Sequence, residues 1–412
     1  MIDRSFDVED GSNLEVAIAD GDVTVETHKA DEVHVRVIVT AETSERARQW
    51  FEAQRFEVER SNNTVRISTN PNSFDYRAWR NEPHGSHVMV AVPQSFDTDV
   101  QTSDGDITVS SLHGAVNLKT SDGDIQTGTL SGDTITITTS DGDVRVGGLD
   151  SEDISVRSSD GDLIIGEVST RHIVAKTSDG DIQTGTLSGD TITIETSDGD
   201  VHVRGLDSED ISVRSSDGDL IIGVVSTRRI VATTSDGDVR VADLSGNAEL
   251  RTADGNLNLR RIDGDSVSAI TSDGDIRVGS IRGRAVLRTA DGSVFVEELA
   301  TTTSTVHASD GIIDLSKVDG DVTVSGSDTD IHLDLRAPGG IKVTSSSGNI
   351  EIRAPQKWAA DVYLRGDDVH VGSLFDLQED FRNDSVVQGT INGGGKLLSV
   401  HASDGSVALR NK

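Results

Sequence analysis

The phrase Thr-Ser-Asp-Gly-Asp-φ, with φ an aliphatic residue, returns so regularly that few folds can hold the chain. Its glycines are Gly105, Gly123, Gly142, Gly161, Gly180, Gly199, Gly218, Gly237, Gly255, Gly274, Gly292 and Gly311, spaced by 18 or 19 residues. A fixed period of this kind marks a repeat architecture in which each coil touches only its neighbours. Residues 120–176 and 177–233 differ at only six of 57 positions, so a block of three coils has been duplicated. Only a quasi-one-dimensional fold accepts whole extra coils without repacking.

A single repeat, TSDGDVRVGGLDSEDISVR (139–157), shows how a coil is built. Val144 and Val146 alternate with polar residues, as do Ile154 and Val156, and Leu149 stands alone between the pairs. The next repeat places Leu163, Ile165, Val168, Ile173 and Ala175 at the same offsets. Alternation over short β-branched runs predicts half-buried strands, and no helical spacing occurs in this region. A lone coil buries too little to offset the ordering of nineteen residues, so coils must share their interior and their ladder hydrogen bonds. The expected fold is all-β: a right-handed single-stranded β-solenoid with coils of 18–19 residues. Asp-Gly predicts the corner, through an Asx-type side-chain bond and a glycine free to take positive φ. The Asp before each glycine is present in all twelve copies, Asp104 through Asp310. The acid after it gives way to Asn256, Ser293 and Ile312, which implies that the corner does not need it.

Three regions are expected. Residues 1–100 form irregular coils that include the coil-like ADGDVTVET (19–27). They also hold a capping helix over about 43–56, with Thr43 or Ser44 as its cap and Ala47, Trp50 and Phe51 on one side. A cap is expected because a solenoid end exposes unpaired strand edges. Residues 70–87 read as a polar loop. Residues 101–325 are the regular solenoid, and 326–412 are looser closing coils in which 389–410 returns to the repeat.

Composition narrows the function. The chain carries 71 acidic and 37 basic residues, a formal charge of −34, with only eight lysines. Such a field repels nucleic acid and anionic membranes and attracts cations or basic partners. A lysine-poor acidic surface also suits a salt-adapted, halophilic source. Without cysteine there are no disulfides or thiolate metal sites. The opening MIDRSFDVEDGSNLEV lacks a secretory pattern, and no window is apolar enough to insert in a membrane, so a cytoplasmic location is expected.

On three phrases the chain resembles the bacterial and archaeal β-strand-repeat proteins of unknown function labelled putative adhesins. They are the serial TSDGDI/V coils, the approach HVMVAVPQSFDTDVQTSDGDI (87–107) and the ending INGGGKLLSVHASDGSVAL (391–409). The resemblance covers nearly the whole chain. It implies a β-solenoid, no catalytic residues to carry over, and, from the adhesin label, display at a cell surface.

If the coils stack in register, Asp122, Asp141, Asp160, Asp179, Asp198 and Asp217 form one carboxylate column. Asp124, Asp143, Asp162, Asp181, Asp200 and Asp219 form a second. Columns of hard oxygen ligands could bind calcium. The simpler reading is a solvated acidic face, because the phrase lacks the denser glycine spacing of calcium-binding β-rolls. His84 and His87 make a lone His-x₂-His pair, better read as locally bonded histidines than as a zinc site. The threonine phrases 134–138 and 191–195 reflect strand propensity. No constellation converges as catalysis requires. The sequence therefore points to a non-enzymatic scaffold, without cofactor, whose acidic faces meet protein or glycan partners or self-associate. The alternatives are a calcium-dependent surface adhesin and, third, a carbohydrate-active β-helix enzyme.

Overall fold

Parallel pairing of each strand with the one a coil away separates a solenoid from a set of sandwiches. The computed structural model describes residues 1–9, 11–70 and 84–412. They divide into two units, Met1–Ser208 and Glu209–Lys412, and each is a β-solenoid.

In the first unit the predicted rows stack residue on residue. Val144 lies opposite Leu163, Val146 opposite Ile165, Leu149 opposite Val168, Ile154 opposite Ile173 and Val156 opposite Ala175, all in parallel register. All ten are buried. The next coil repeats the pairing, Leu163 with Ile182 and Ile173 with Ile192. Between the paired segments Ile125–Thr138, Val144–Arg157, Leu163–Lys176 and Ile182–Glu195 lie only the Asp-Gly corners.

The amino-terminal end is less regular. Its elements are β1 (Ile2–Asp7), β2 (Asn13–Ala17), β3 (Asp22–His28), β4 (Glu32–Ala41), α1 (Ser44–Gln54), β5 (Glu57–Ser61), β6 (Thr64–Ser68), β7 (His84–Pro93), β8 (Asp97–Gln101) and β9 (Ile107–Val109). β2 lies between β6 and β8, and β3 between β7 and β9, all parallel. The first coil in the sequence is thus interposed one coil inward. Beyond it the direction reverses: β4 is antiparallel to both β7 and β1, and β5 to β6. The edge strands β1 and β5, IDRSFD and EVERS, carry charges that discourage further strand addition.

The helix forms where expected and ends two residues sooner. Thr43 is its cap, accepting from the Arg46 amide at 3.2 Å, and Arg55 closes it at φ 50°. It packs on β4. Of the predicted face only Trp50 is fully buried, its Nε1 donating to Ser86 Oγ at 2.9 Å; Ala47 and Phe51 are half-buried. Trp50→Ala is therefore expected to destabilise this unit by about 3–5 kcal/mol, read from urea unfolding. The expected loop 70–87 is corrected at its far end: 71–83 lie outside the described residues, but His84 to His87 belong to strand β7.

In the second unit Leu220 pairs with Val239, Val239 with Leu257, Leu257 with Ile276 and Ile276 with Val294. Where neighbouring coils differ in length, the register shifts between the two strands of a coil, as between Ser226 and Arg229, and the Asp-Gly corner stays aligned.

At the carboxy-terminal end β10 (Ala360–Arg365), β11 (Leu377–Arg382), β12 (Val386–Ile391), β13 (Lys396–Asp404) and β14 (Val407–Asn411) repeat the device. β13 lies parallel between the segment Ile341–Ser347 and β10. β14 lies parallel between strands Ile350–Ala354 and Val369–Val371. The stretch 389–410, expected to close the array, is corrected accordingly. Most of it is slotted one coil inward, and the closure is antiparallel, β12 against β10 and β11 against β12.

Candidate functional site

The corner columns are the one feature the sequence offers as a site, and three side chains per coil build them. The first is the threonine or serine that opens the phrase. Thr139 Oγ1 accepts from its own Gly142 amide at 3.3 Å and donates to the Gly123 carbonyl of the previous coil at 3.1 Å. Ser158 does the same for Gly161 and Gly142, and Thr252 for Gly255 and Gly237 in the second unit. All are buried. This hydroxyl fills the role expected of an Asx bond from the Asp before glycine.

The second is glycine itself, and the reason for it differs from the expectation. The corner glycines Gly123, Gly142 and Gly161 are not at positive φ. They are required by close approach: a Cβ on Gly161 would stand inside the Gly142 carbonyl group and 2.9 Å from the Asp143 nitrogen. In the first unit each corner glycine from Gly105 on Gly21 to Gly199 on Gly180 rests on the backbone of the glycine beneath, and the second unit repeats this from Gly237 on Gly218 to Gly292 on Gly274.

The third is the acid after glycine, which the sequence had released from any structural duty. Asp124 Oδ1 accepts from the Asp143 amide at 2.8 Å, Asp143 from Asp162 at 2.9 Å, Asp162 from Asp181 at 2.8 Å and Asp181 from Asp200 at 2.8 Å. The second unit continues the pattern from Asp219 to Asp238 to Asn256 to Asp275 to Ser293. Asn256 and Ser293 are replacements that keep an acceptor; the ladder breaks where Ile312 offers none and resumes from Asp330 to Asn349 to Ser406. Asp143→Asn should therefore be nearly neutral, while Asp143→Ala should cost about 0.5–1.5 kcal/mol, measured by denaturant midpoint.

The two predicted columns thus have different surroundings. Asp124, Asp143, Asp162, Asp181 and Asp219 each give one oxygen to the backbone above, and the Asp200 amide donates to Asp181. Asp143 Oδ2 also pairs with Arg145 at 2.7 Å, and Asp219 Oδ2 with Arg240 at 2.5 Å. Asp122, Asp141, Asp160, Asp179, Asp198 and Asp217 are exposed. Among the described residues no three acidic or histidine side chains group closely enough to hold a metal ion.

Acid crowding is felt where the column begins. Burial, and then the nearby Asp104 charge, push the Asp20 carboxyl above its ordinary value, while His84 pulls the other way. Only the charged form is disfavoured, so Asp20→Asn is expected to raise the melting temperature at pH 7. It should change nothing at pH 3, where the carboxyl is protonated folded or unfolded.

His84 and His87, three apart on strand β7, face opposite ways. His84 lies against Trp50 with ring centres 4.0 Å apart, and His87 Nε2 meets Thr24 Oγ1 at 2.8 Å. They do not converge on one ion.

Parallel coils, a hydroxyl-bridged glycine column and an acid ladder between neighbours define a β-solenoid repeat protein of Asp-Gly corners. The chain belongs to the Toastrack DUF4097 family, whose profile matches residues 12–187, 184–285 and 267–410. That family, of unknown function, is the one its phrases resemble. No curated protein matches. Among solved structures the chain is similar to one described as a putative adhesin from Bacteroides fragilis, with 13% identity, a TM-score of 0.27, and coverage of 67% of this chain and 96% of that one. It is also similar to a putative lipid binding protein from Parabacteroides distasonis, with 12% identity, a TM-score of 0.27 and coverage of 72% and 96%. A third, a putative cell adhesion protein from Clostridium sporogenes, has 8% identity, a TM-score of 0.15 and coverage of 100% and 99%.

Proposed function

We propose that the protein is a non-enzymatic interaction scaffold whose solenoid faces, rich in carboxylates, meet protein or glycan partners. One observation carries this reading. Each of these coils has two repeated acids, one bonded to the backbone of the next coil and one standing singly in an exposed column. Reactive groups set at a constant interval do not converge on a substrate. The exposed column serves attraction of basic surfaces instead. No helix among the described residues is long and apolar enough to cross a membrane.

The test uses the full chain and a variant with Asp122, Asp141, Asp160 and Asp179 changed to Asn. Titrated with a basic probe protein, hen lysozyme, the chain should bind at low salt and lose affinity steeply as salt rises. The variant should bind more weakly while melting at the same temperature. Equal binding by both would remove the acidic face from the function. Release of reducing ends from acidic or neutral polysaccharides would overturn the non-enzymatic reading.

The calcium-dependent alternative has one supporting feature, the solvent-open oxygens of the Asp122 column, whose members stack a coil apart. Melting at fixed ionic strength separates the two: a rise of many degrees with millimolar calcium and none with sodium favours calcium.

A further inference from the structure

Aromatic residues are nearly absent from the coils: between Asp97 and Lys357 the chain has Phe295 alone. Two of the few others are on the solvent side of the closing sheet. Tyr363 on β10 is 38% exposed and Phe381 on β11 52%, with Leu397 on β13 at 53%. The ladder places them together. Tyr363 lies opposite Gln388 on one side and Ser399 on the other, and Gln388 lies opposite Phe381. One row thus runs Ser399, Tyr363, Gln388, Phe381 across four strands. The next outward row holds Leu397, Asp361, Thr390 and Gln378.

The face on which Phe381 stands is set by an irregularity. The register of β11 on β12 shifts between Glu379 and Phe381. Without the extra residue Phe381 would pair with Val387 and lie on the other face, the place that Arg382 takes. The bulge turns the ring to the outer face beside Tyr363, which is how bulges re-aim side chains.

The geometry points to a binding platform on this outer face for a neutral glycan, stacked across Tyr363 and Phe381 and hydrogen-bonded at its edges by Gln388, Thr390 and Asp361. The two rings are two strands apart, about 10 Å, so each can take the apolar face of a separate sugar ring. Gln388 between them offers both donors and acceptors, and Asp361, which accepts from the Gly395 amide with Oδ1 at 3.3 Å, keeps Oδ2 free. Size argues against a second copy as occupant: four strands by two rows cover on the order of 300 Å². A stable protein interface needs about 800 Å² on each side. Charge argues for a neutral ligand, because Asp361 and Arg365 share the exposed face of β10 with Tyr363, one of each sign, and Glu379 pairs with Arg382 on the other side of β11. The net charge of −34 opposes polyanions at longer range.

This inference rests on the scaffold reading, and its test keeps the two apart. Neutral hexasaccharides of β-1,4-glucose, β-1,4-N-acetylglucosamine, β-1,4-mannose and α-1,4-glucose are mixed with the full chain. Saturation-transfer NMR and calorimetry then measure binding and product. At least one is expected to bind with Kd of about 1 mM or tighter. The variant Tyr363→Ala/Phe381→Ala should bind at least tenfold more weakly at unchanged melting temperature, and Phe381→Trp should retain binding. Should the double variant unfold, Tyr363→Leu and Gln388→Ala carry the same expectation singly. Binding of none of the four sugars, or equal binding by the variants, overturns the platform and leaves the scaffold reading standing. Sedimentation to phosphatidylcholine vesicles, or dimerisation, that the double variant abolishes also overturns it, assigning the patch to a membrane or a second copy. Cleavage of a hexasaccharide overturns the scaffold reading.

Discussion

Gly161→Ala is expected to destabilise the first unit by about 3–5 kcal/mol, far more than an alanine in an open turn. The methyl would have to enter the space held by the carbonyl of Gly142, so two backbones must separate. Separating them also stretches the hydroxyl bridge from Ser158 to Gly142 and the rung from Asp143 to the Asp162 amide. Three contacts fail for one methyl. Asp160→Ala, one residue earlier and exposed, should change stability by no more than about 0.5 kcal/mol. Repeat arrays open locally, so hydrogen exchange at the corner amides from 158 to 162 is the appropriate readout, alongside the denaturant midpoint. A mild effect at Gly161 would mean that the stacked corners do not hold the coils together.

The second large effect is expected at Thr139. Thr139→Val keeps the shape and loses the hydroxyl, leaving the Gly142 amide and the Gly123 carbonyl without it. Two buried backbone groups deprived of a partner should cost about 2–4 kcal/mol. Thr139→Ser should restore nearly all of it, because serine does this work at 158. If valine were as stable as serine, the bridge would be incidental and the corner would rest on close packing alone.

The stacking was legible because it follows from a period. Val144 and Leu163 fall at the same offset, and identical offsets in a repeat meet across the ladder. The corner chemistry was less legible because its bonds run between coils. Thr139 reaches Gly123 and Asp124 reaches Asp143, partners 16 and 19 residues distant, which no short-range turn rule considers. Read within one phrase, Asp and Gly look like an ordinary turn pair. The loss of the acid at Asn256 and Ser293 then looks like indifference, although both keep the acceptor. The ends were hidden for another reason. The run from Val33 to Val39 alternates in the same way whether its neighbours are parallel or antiparallel, so the reversal at β4 leaves no mark. His84 to His87 read as loop through their glycine and polar neighbours, and the pairing of β7 with β3 and β4 overrides that local preference. The outward turn of Phe381 depends on one surplus residue in a strand, which alternation alone cannot reveal.

The reversed strands at the two tips also govern how a chain of this kind can lengthen. A newly gained repeat needs parallel partners above and below, and neither tip offers them: one finishes in β1 and β5, the other in β11. Bookends of this sort confine growth to the coils that have parallel partners on both sides. In sequence the near-identical copies at 120–176 and 177–233 fall between the two capped segments. Relatives of different length should therefore vary in the number of central rungs and share the same two stoppers.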